Sequence, residues 1–250
     1  MSDESRSTPA QTSVAAVIPA AGRGVRLGPG APKALRALSG TPMLIHAVRA
    51  LAASRHVALV VVVAPPDGAA EVKSLLDAHA LPDRTDFLVV PGGESRQESV
   101  RLGLEALPPQ YGIVLVHDAA RPLVPVDTVD AVVEAVRDGA PAVVPALPLA
   151  DTVKEVAPAA EAGEPEPVVA TPERSRLRAV QTPQGFGRAT LVRAHESVTE
   201  NVTDDASMVE QLGLPVVAVP GHEEAFKVTR PLDLVLAEAV LARRRLNDGF

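Results

Sequence analysis

The most informative stretch of this chain is Ala20-Ala-Gly-Arg-Gly-Val-Arg-Leu-Gly-Pro-Gly-Ala-Pro-Lys33. It follows the apolar run Val14–Ile18, which is typical of a buried strand. Glycines let the backbone approach a ligand closely, and exposed N–H groups in such a loop form an anion-binding concavity. Arg23, Arg26 and Lys33 add positive charge. The segment predicts a polyphosphate site, although such a loop alone is equally compatible with a tight strand–helix turn.

Two common phosphate-binding motifs are absent from the sequence. Leu27 stands where a dinucleotide fingerprint starting at Gly22 needs its third glycine, and no Gly-Lys-Ser/Thr tripeptide of a P-loop occurs. The long loop that closes on Pro32-Lys33 resembles instead the signature of sugar-nucleotide pyrophosphorylases and related nucleotidyltransferases. In that group the loop wraps the triphosphate of a nucleoside triphosphate.

Composition narrows the class of protein. The 250 residues are 46% hydrophobic, which is enough for one sizeable domain. We expect this domain over 13–250, after a polar, disordered tail over 1–12. The absence of cysteine excludes disulfides and thiolate metal sites. A net charge of −7 and only five Phe or Tyr residues argue against a nucleic-acid partner. No signal peptide or membrane span is recognisable, so we expect a cytoplasmic protein with no membrane partner.

Strand-like and helix-like segments alternate along the chain. Such alternation predicts an α/β fold with a Rossmann-like, mostly parallel sheet flanked by helices and a ligand site beyond the carboxyl ends of the strands. The predicted strands are Val14–Ile18, Val57–Val63, Phe87–Val90, Ile113–Val116, Ala142–Val144, Leu177–Gln181 and Val216–Val219. The predicted helices are Met43–Ala52, Glu71–Ala80, Gln97–Leu107, Thr128–Asp138, Thr190–Ser197, Asp204–Gln211 and Pro231–Arg245.

The alternation breaks over 151–173. The run Pro158–Pro167 is rich in Pro, Ala and Glu, a composition that cannot form a packed core. Strand-like pieces flank it at Thr152–Val156 and Val168–Ala170. We interpret the region as a protruding β-arm for dimerisation; an ordinary surface loop is the alternative.

A carboxylate follows the predicted strand Ile113–Val116. In a site that already holds a basic loop, Asp118 suits Mg²⁺, which prefers one or two carboxylates together with substrate phosphates. Asp118 is equally suited to cap the next segment or to pair with Arg121.

A glycine pair follows another predicted strand. Gly92-Gly93 would bring backbone close to a flat or charged group, with Ser99 at a helix N-terminus where hydroxyls cap the helix or bind anions. A plain glycine turn with a serine cap is the alternative.

Taken together, these motifs resemble one family, the 2-C-methyl-D-erythritol 4-phosphate cytidylyltransferases of the non-mevalonate isoprenoid pathway. The resemblance extends from about Val14 to Arg245. Its motifs, in the family's order, are Ala20-Ala-Gly-x-Gly-x-Arg26 with Pro32-Lys33, Gly92-Gly-x-x-Arg-x-x-Ser-Val100, His117-Asp-Ala-Ala-Arg-Pro122, Asp151-Thr-x-Lys154, Thr182-Pro-Gln184, Thr203-Asp-x-Ala-Ser207 and Lys227-Val-Thr-Arg-Pro231.

The resemblance implies a nucleotidyltransferase that joins CTP and 2-C-methyl-D-erythritol 4-phosphate, releasing pyrophosphate, with Mg²⁺ as cofactor. It implies catalytic roles at the α-phosphate for Arg26, Lys33 and Lys227. The implied CTP site consists of Ala20, Ala21, Gly22, Gly24, Gly92, Glu94, Ser99, Asp118 and Ala119, with Asp118 beside the metal.

On the acceptor side, the resemblance implies that Arg121, Thr152, Arg174 and Thr182 bind the methylerythritol phosphate. In the family the arm belongs to a homodimer interface and reaches the neighbouring subunit's site. Thr152 and Arg174 flank the arm, so we expect them to act across that interface.

The match to the family has two departures. Ala34 replaces the glutamine that usually follows the loop lysine, and Ala225 replaces an asparagine near the later lysine. Both changes remove a polar group near the triphosphate. Two other functions stay open: a cytidylyltransferase for another polyol phosphate such as ribitol 5-phosphate, and a non-catalytic nucleotide-binding protein.

Overall fold

An eight-stranded sheet forms the centre of the structure. The computed structural model describes residues 12–22, 32–159, 161, 163–198 and 202–247. Residues 1–11 of the tail expected over 1–12, and the loop residues Gly24 and Arg26, therefore lie outside the described residues.

Twelve strands are assigned within the described part of the chain. They are β1 (Ser13–Pro19), β2 (Ala37–Leu38), β3 (Thr41–Pro42), β4 (Val57–Ala64), β5 (Asp86–Pro91), β6 (Tyr111–Val116), β7 (Ala142–Pro148), β8 (Glu155–Val156), β9 (Val168–Ala170), β10 (Arg178–Val180), β11 (Gln184–Gly187) and β12 (Val216–Pro220).

Seven α-helices accompany these strands over the same described residues. They are α1 (Met43–Ala53), α2 (Ala69–Asp77), α3 (Arg96–Glu105), α4 (Val126–Arg137), α5 (Arg188–Ser197), α6 (Asp205–Gln211) and α7 (Pro231–Asn247). Short 3-10 turns at Lys33–Leu35, Arg174–Arg176 and Glu223–Ala225 complete the assignment.

The central sheet has the strand order β10-β7-β11-β6-β1-β4-β5, with β12 also paired to β7. Strand β1 pairs in parallel with β4 and β6, and β4 pairs in parallel with β5. The predicted α/β fold with a mostly parallel sheet is confirmed. The alternation did not predict β11, an antiparallel strand between β6 and β7, because its sequence Gln-Gly-Phe-Gly lacks an apolar run.

Each face of the sheet carries its own hydrophobic core. Successive strand residues point to opposite faces, so Val14, Ala16 and Ile18 of β1 lie in one core and Ala15 and Val17 in the other. Helices α1, α2 and α4 contribute buried residues to the first core, and α3, α5 and α6 to the second. This two-sided cover explains why the central strands are nearly continuous apolar runs.

The region over 151–173 contains a short hairpin. Strands β8 and β9 pair with each other in an antiparallel register, and all five of their residues are exposed. The predicted first strand, Thr152–Val156, is shorter in the structure, where pairing begins at Glu155.

Within the described residues, no helix has both the length and the apolar character needed to cross a membrane.

Helix α4 lies so close to β11 that the strand has no room for a side chain at Gly185. A Cβ there would lie 2.5 Å from Val132 Cγ1 and 3.1 Å from Val136 Cγ2. Because both contacts are short branched side chains in a packed core, Gly185→Ala should destabilise the protein by about 1–3 kcal/mol. Chemical denaturation measures the effect.

Gly187→Ala is the matched control in the same strand, since its added Cβ would meet Thr190 Oγ1 at an ordinary 3.7 Å. Equal stability losses in the two variants would show that close packing against α4 does not limit residue 185.

Candidate active site

A cavity of about 280 Å³ opens at the carboxyl edge of the sheet. Its wall is formed by segments that follow β1, β5 and β6, by the 3-10 turn at Lys33 and by Lys227. The lining residues are Pro19, Ala20, Ala21, Gly22, Lys33, Ala34, Gly93, Glu94, Ser95, Arg96, Ser99, Asp118, Ala119, Ala120 and Lys227. This is the edge at which open α/β sheets bind their ligands.

The Asp118 carboxylate lies between two cations in this cavity. Lys227 Nζ lies 2.7 Å from Asp118 Oδ2, and Arg96 Nε lies 3.3 Å from Asp118 Oδ1. The Asp118 side chain is 12% exposed, whereas those of Arg96 and Lys227 are 34% and 38% exposed. The carboxylate is thus the inner member of the cluster, and the cations reach the open side of the cavity.

The cluster keeps Asp118 ionised. Burial alone would raise the pKa of the Asp118 carboxyl, but the adjacent Arg96 and Lys227, with Arg121, outweigh burial and hold the pKa well below its usual range. The site therefore carries a fixed negative charge next to two positive charges at physiological pH.

A hydrogen-bonded chain behind the cavity fixes the backbone at Asp118. His117 is fully buried, and its Nε2 lies 3.1 Å from the Arg121 carbonyl oxygen, which can only accept. His117 Nε2 is therefore the donor, which leaves Nδ1 to accept from the Thr182 hydroxyl at 3.0 Å. The same hydroxyl oxygen accepts from the Asp118 N–H at 3.1 Å. Thr182 thus links a neutral imidazole to the backbone that presents Asp118.

The loop after β5 is braced by Ser99. Its hydroxyl donates to the Ser95 carbonyl at 2.9 Å and accepts from the Gly93 N–H at 3.2 Å. A Cβ at Gly92 would lie 2.9 Å from Ser99 Oγ and 3.1 Å from the Ala64 carbonyl oxygen. Close approach of backbone therefore requires glycine here, and Ser95 caps α3 by accepting from the Glu98 N–H.

Most residues expected on the nucleotide side come together in this cavity. Nine of them line it: Ala20, Ala21, Gly22, Lys33, Glu94, Ser99, Asp118, Ala119 and Lys227. Gly92 is adjacent to the lining residue Gly93. Among the expected residues, Gly24 and Arg26 fall outside the described part of the chain.

The expected acceptor-side residues do not line the cavity. Arg121 donates to the carbonyl oxygens of Ala225, at 2.7 Å, and Val180, at 3.2 Å, while its buried Nε has no partner among the described residues. Thr182 is engaged in the chain behind Asp118. Thr152 is exposed, and the exposed Arg174 donates to the Ala150 carbonyl at the base of the hairpin.

Arg96 lines the cavity, although the sequence analysis assigned it no role. It begins α3 and contacts Asp118, which lies 22 positions later in the chain. Its place within the glycine-containing motif was the available signal, but a helix-start arginine is ordinarily read as a solvated charge.

Comparison with known proteins identifies the family to which the chain belongs. Residues 14–243 match the family model "IspD: 2-C-methyl-D-erythritol 4-phosphate cytidylyltransferase". The chain belongs to this family. Curated members from Streptomyces avermitilis and Streptomyces coelicolor are 87% and 81% identical to it, over the full length of both chains in each comparison.

Solved structures of the family share the fold. The crystal structure of the family member from Thermus thermophilus is 37% identical, with a TM-score of 0.70 over 91% of this chain and 98% of that one. A synthase from Anaerococcus prevotii is 26% identical, with a TM-score of 0.77 over 92% and 99%.

His117 should make folding stability depend on pH. Burial, the largest influence, lowers the pKa of His117 from 6.5 to about 4. As the pH falls below about 6.5, His117 is protonated in the unfolded chain but stays neutral in the folded one. The free energy of unfolding should therefore decline by up to about 3 kcal/mol between pH 6.5 and 4.

Denaturation curves at several pH values, for wild type and for His117→Gln, isolate this contribution. The variant should be less stable at pH 7 but should lose less stability on acidification. Parallel losses in both proteins would mean that His117 titrates normally in the folded state.

Proposed function

We propose that this cavity binds CTP and that the chain transfers CMP to 2-C-methyl-D-erythritol 4-phosphate, with release of pyrophosphate, as a step of the non-mevalonate isoprenoid pathway. The family membership supports the reaction. The placement of CTP in this cavity rests on one observation: Lys33, Lys227 and the Asp118 carboxylate converge there, at the carboxyl edge of the sheet.

The reaction needs no protein nucleophile. The acceptor phosphate is already an anion at neutral pH, and one of its oxygens attacks the α-phosphorus of CTP in line with the departing pyrophosphate. Catalysis then consists of positioning and of stabilising charge on the α-phosphate. In this proposal Lys33, Lys227 and Arg26 supply that positive charge, and Lys227 leaves Asp118 to contact both phosphates.

The loop after β5 is the proposed cytosine site. Gly92, Glu94 and Ser99 would enclose the base, with Ala119 opposite and the backbone of Ala20, Ala21, Gly22 and Gly24 reaching the triphosphate. Small side chains and exposed backbone suit a pyrimidine, and Ser99 holds Gly93 in place from within.

Lys33→Ala tests the catalytic proposal. Losing one donor to charge that grows in the transition state costs on the order of 10²–10³ in rate, so turnover should fall by that factor while CTP binding weakens much less. Steady-state kinetics and calorimetric CTP titration measure the two effects.

Lys73→Ala is the control for Lys33→Ala, because Lys73 is exposed and pairs with Asp77 on α2. Near-normal turnover of the Lys33 variant would remove this lysine from the chemistry.

We propose Mg²⁺ as the cofactor, bound mainly by the phosphates of CTP with Asp118 beside it. Among the residues that the structure describes, no three His, Cys, Asp or Glu side chains converge to hold a metal. A single carboxylate fits a cation that brings most of its oxygen ligands from the substrate. When bound, Mg²⁺ would neutralise triphosphate charge.

Removing divalent cations should therefore abolish pyrophosphate release, because one carboxylate and its neighbouring cations cannot replace the ion's effect on the triphosphate. Release is followed in excess chelator, with Mg²⁺ added back as the control. Undiminished release without Mg²⁺ would contradict the proposed cofactor.

We propose that the active unit is a homodimer in which the β8–β9 hairpin of one subunit reaches the site of the other. Val156, Val168 and Val169 of the hairpin are 42%, 58% and 58% exposed, a cost that burial against a second copy would remove. Thr152 and Arg174 lie at the base of the hairpin and outside their own cavity, which suits residues that act on the partner subunit's substrate.

Mixing two inactive variants tests the composite site. If each hairpin serves the opposite subunit, a mixed dimer of Lys33→Ala and Arg174→Ala chains carries one doubly defective site and one intact site. Activity should return to about half per mixed dimer by this symmetry. If the mixture stays inactive while mass measurement shows subunit exchange, Arg174 acts within its own chain.

A ribitol 5-phosphate enzyme would share the nucleotide side, but the family membership favours methylerythritol phosphate as the acceptor. Arg121, Thr152, Arg174 and Thr182 would decide it. Turnover of the two polyol phosphates by the wild-type protein distinguishes the activities directly. The cytoplasmic location stays a prediction from the sequence.

A further inference from the structure

A chain of charged side chains runs from the cavity into the core behind it. Arg96 contacts Asp118 through Nε and contacts Asp205 through Nη1, the latter at 2.7 Å from Asp205 Oδ2. His195 Nε2 lies 3.1 Å from the other oxygen, Asp205 Oδ1. Both oxygens of Asp205 are thus occupied, one by a cavity residue and the other by a core residue.

Asp205 is unusually deep for a carboxylate. Its side chain is fully buried, and the His195 side chain is 2% exposed. Burial would raise the pKa of Asp205, but the hydrogen bond from His195 and the charge of Arg96 outweigh it and lower the pKa. A charge at such depth costs several kcal/mol to desolvate, and an apolar pair would often be at least as stable. Stability alone is therefore a poor reason for this arrangement.

The geometry supplies another reason. The guanidinium is a rigid planar fork, and here its two anchors come from different elements, the segment after β6 and the first residue of α6. Without Asp205, the one-third-exposed Arg96 could rotate and take both oxygens of Asp118, displacing Lys227. With Asp205 in place, Arg96 holds only Oδ1, so Oδ2 keeps Lys227 at the cavity until a nucleotide binds.

We propose that Asp205, held by His195, is a positioning residue that fixes Arg96 and thereby presents Asp118 Oδ2 and Lys227 to the bound nucleotide. The inference rests on the proposed CTP site. Asp205 lies behind Arg96 and acts through it, without touching substrate.

Asp205→Asn is the principal variant, because it removes the charge and keeps the shape. Losing a partner that orients a functional carboxylate typically costs ~10–100-fold in activity, so kcat should fall by that factor. CTP binding should be no weaker than in wild type, since the substitution removes a negative charge behind the cavity. A merely structural defect would instead weaken binding or lower the folded fraction.

Asp204→Asn, at the N-cap of the same helix, is the matched control. Asp204 caps α6 by accepting from the Ser207 N–H and also contacts Gln184, with no contact to Arg96. Asparagine caps as well as aspartate but cannot also accept from the Gln184 amide, so kcat should fall far less than in Asp205→Asn. All variants are assayed below their melting temperatures, with calorimetric CTP titration alongside.

His195→Gln is a second test variant, for use if Asp205→Asn folds poorly. It should lower kcat in the same direction, and the double variant should lose no more than Asp205→Asn alone, because both act through one chain.

Three outcomes would each overturn the proposal: wild-type kcat in folded Asp205→Asn, an equal loss of kcat in Asp204→Asn, or additive losses in the double variant. If Asp205→Asn does not fold, wild-type kcat in His195→Gln would overturn it instead. Failure of the wild-type protein to bind CTP would instead refute the proposed function itself.

Discussion

The placement of one carboxylate between two cations is the constraint on which the site depends. Asp118 is nearly buried at the end of β6, where an unpaired charge would cost several kcal/mol. Arg96 and Lys227 make the position tolerable, and the same two cations are those that a triphosphate would meet on entering the cavity. The interaction that stabilises Asp118 is therefore also the interaction that a nucleotide would rearrange.

The fold delivers these groups to one place through its parallel strands. Strands β1, β5 and β6 end at the same edge, so segments far apart in sequence converge there. These strands could be predicted from the sequence because a strand buried on both faces is a nearly continuous apolar run. Strand β11 was not, since its two glycines and glutamine carry no periodic signal and its place depends on packing against α4.

The sequence predicted which residues converge on the cavity better than it predicted how those residues contact one another. The loop, glycine and aspartate motifs each follow a strand, which places Lys33, Glu94, Ser99 and Asp118 at one edge. The contacts that hold Asp118 and its neighbouring cation Arg96 are long-range, such as Arg96 with Asp205 across 109 positions. No local pattern encodes such pairs, so Arg96, Asp205 and the His117–Thr182 link emerged only from the structure.

A crystal structure with CTP and Mg²⁺ would show directly whether the triphosphate takes Lys227 from Asp118. We expect the triphosphate inside the cavity, with Lys227 Nζ moved from Asp118 Oδ2 to within hydrogen-bond distance of a phosphate oxygen and with Arg96 still joined to Asp118 and Asp205. A nucleotide bound away from Lys33 and Lys227, or one that leaves the Lys227–Asp118 pair unchanged, would contradict it.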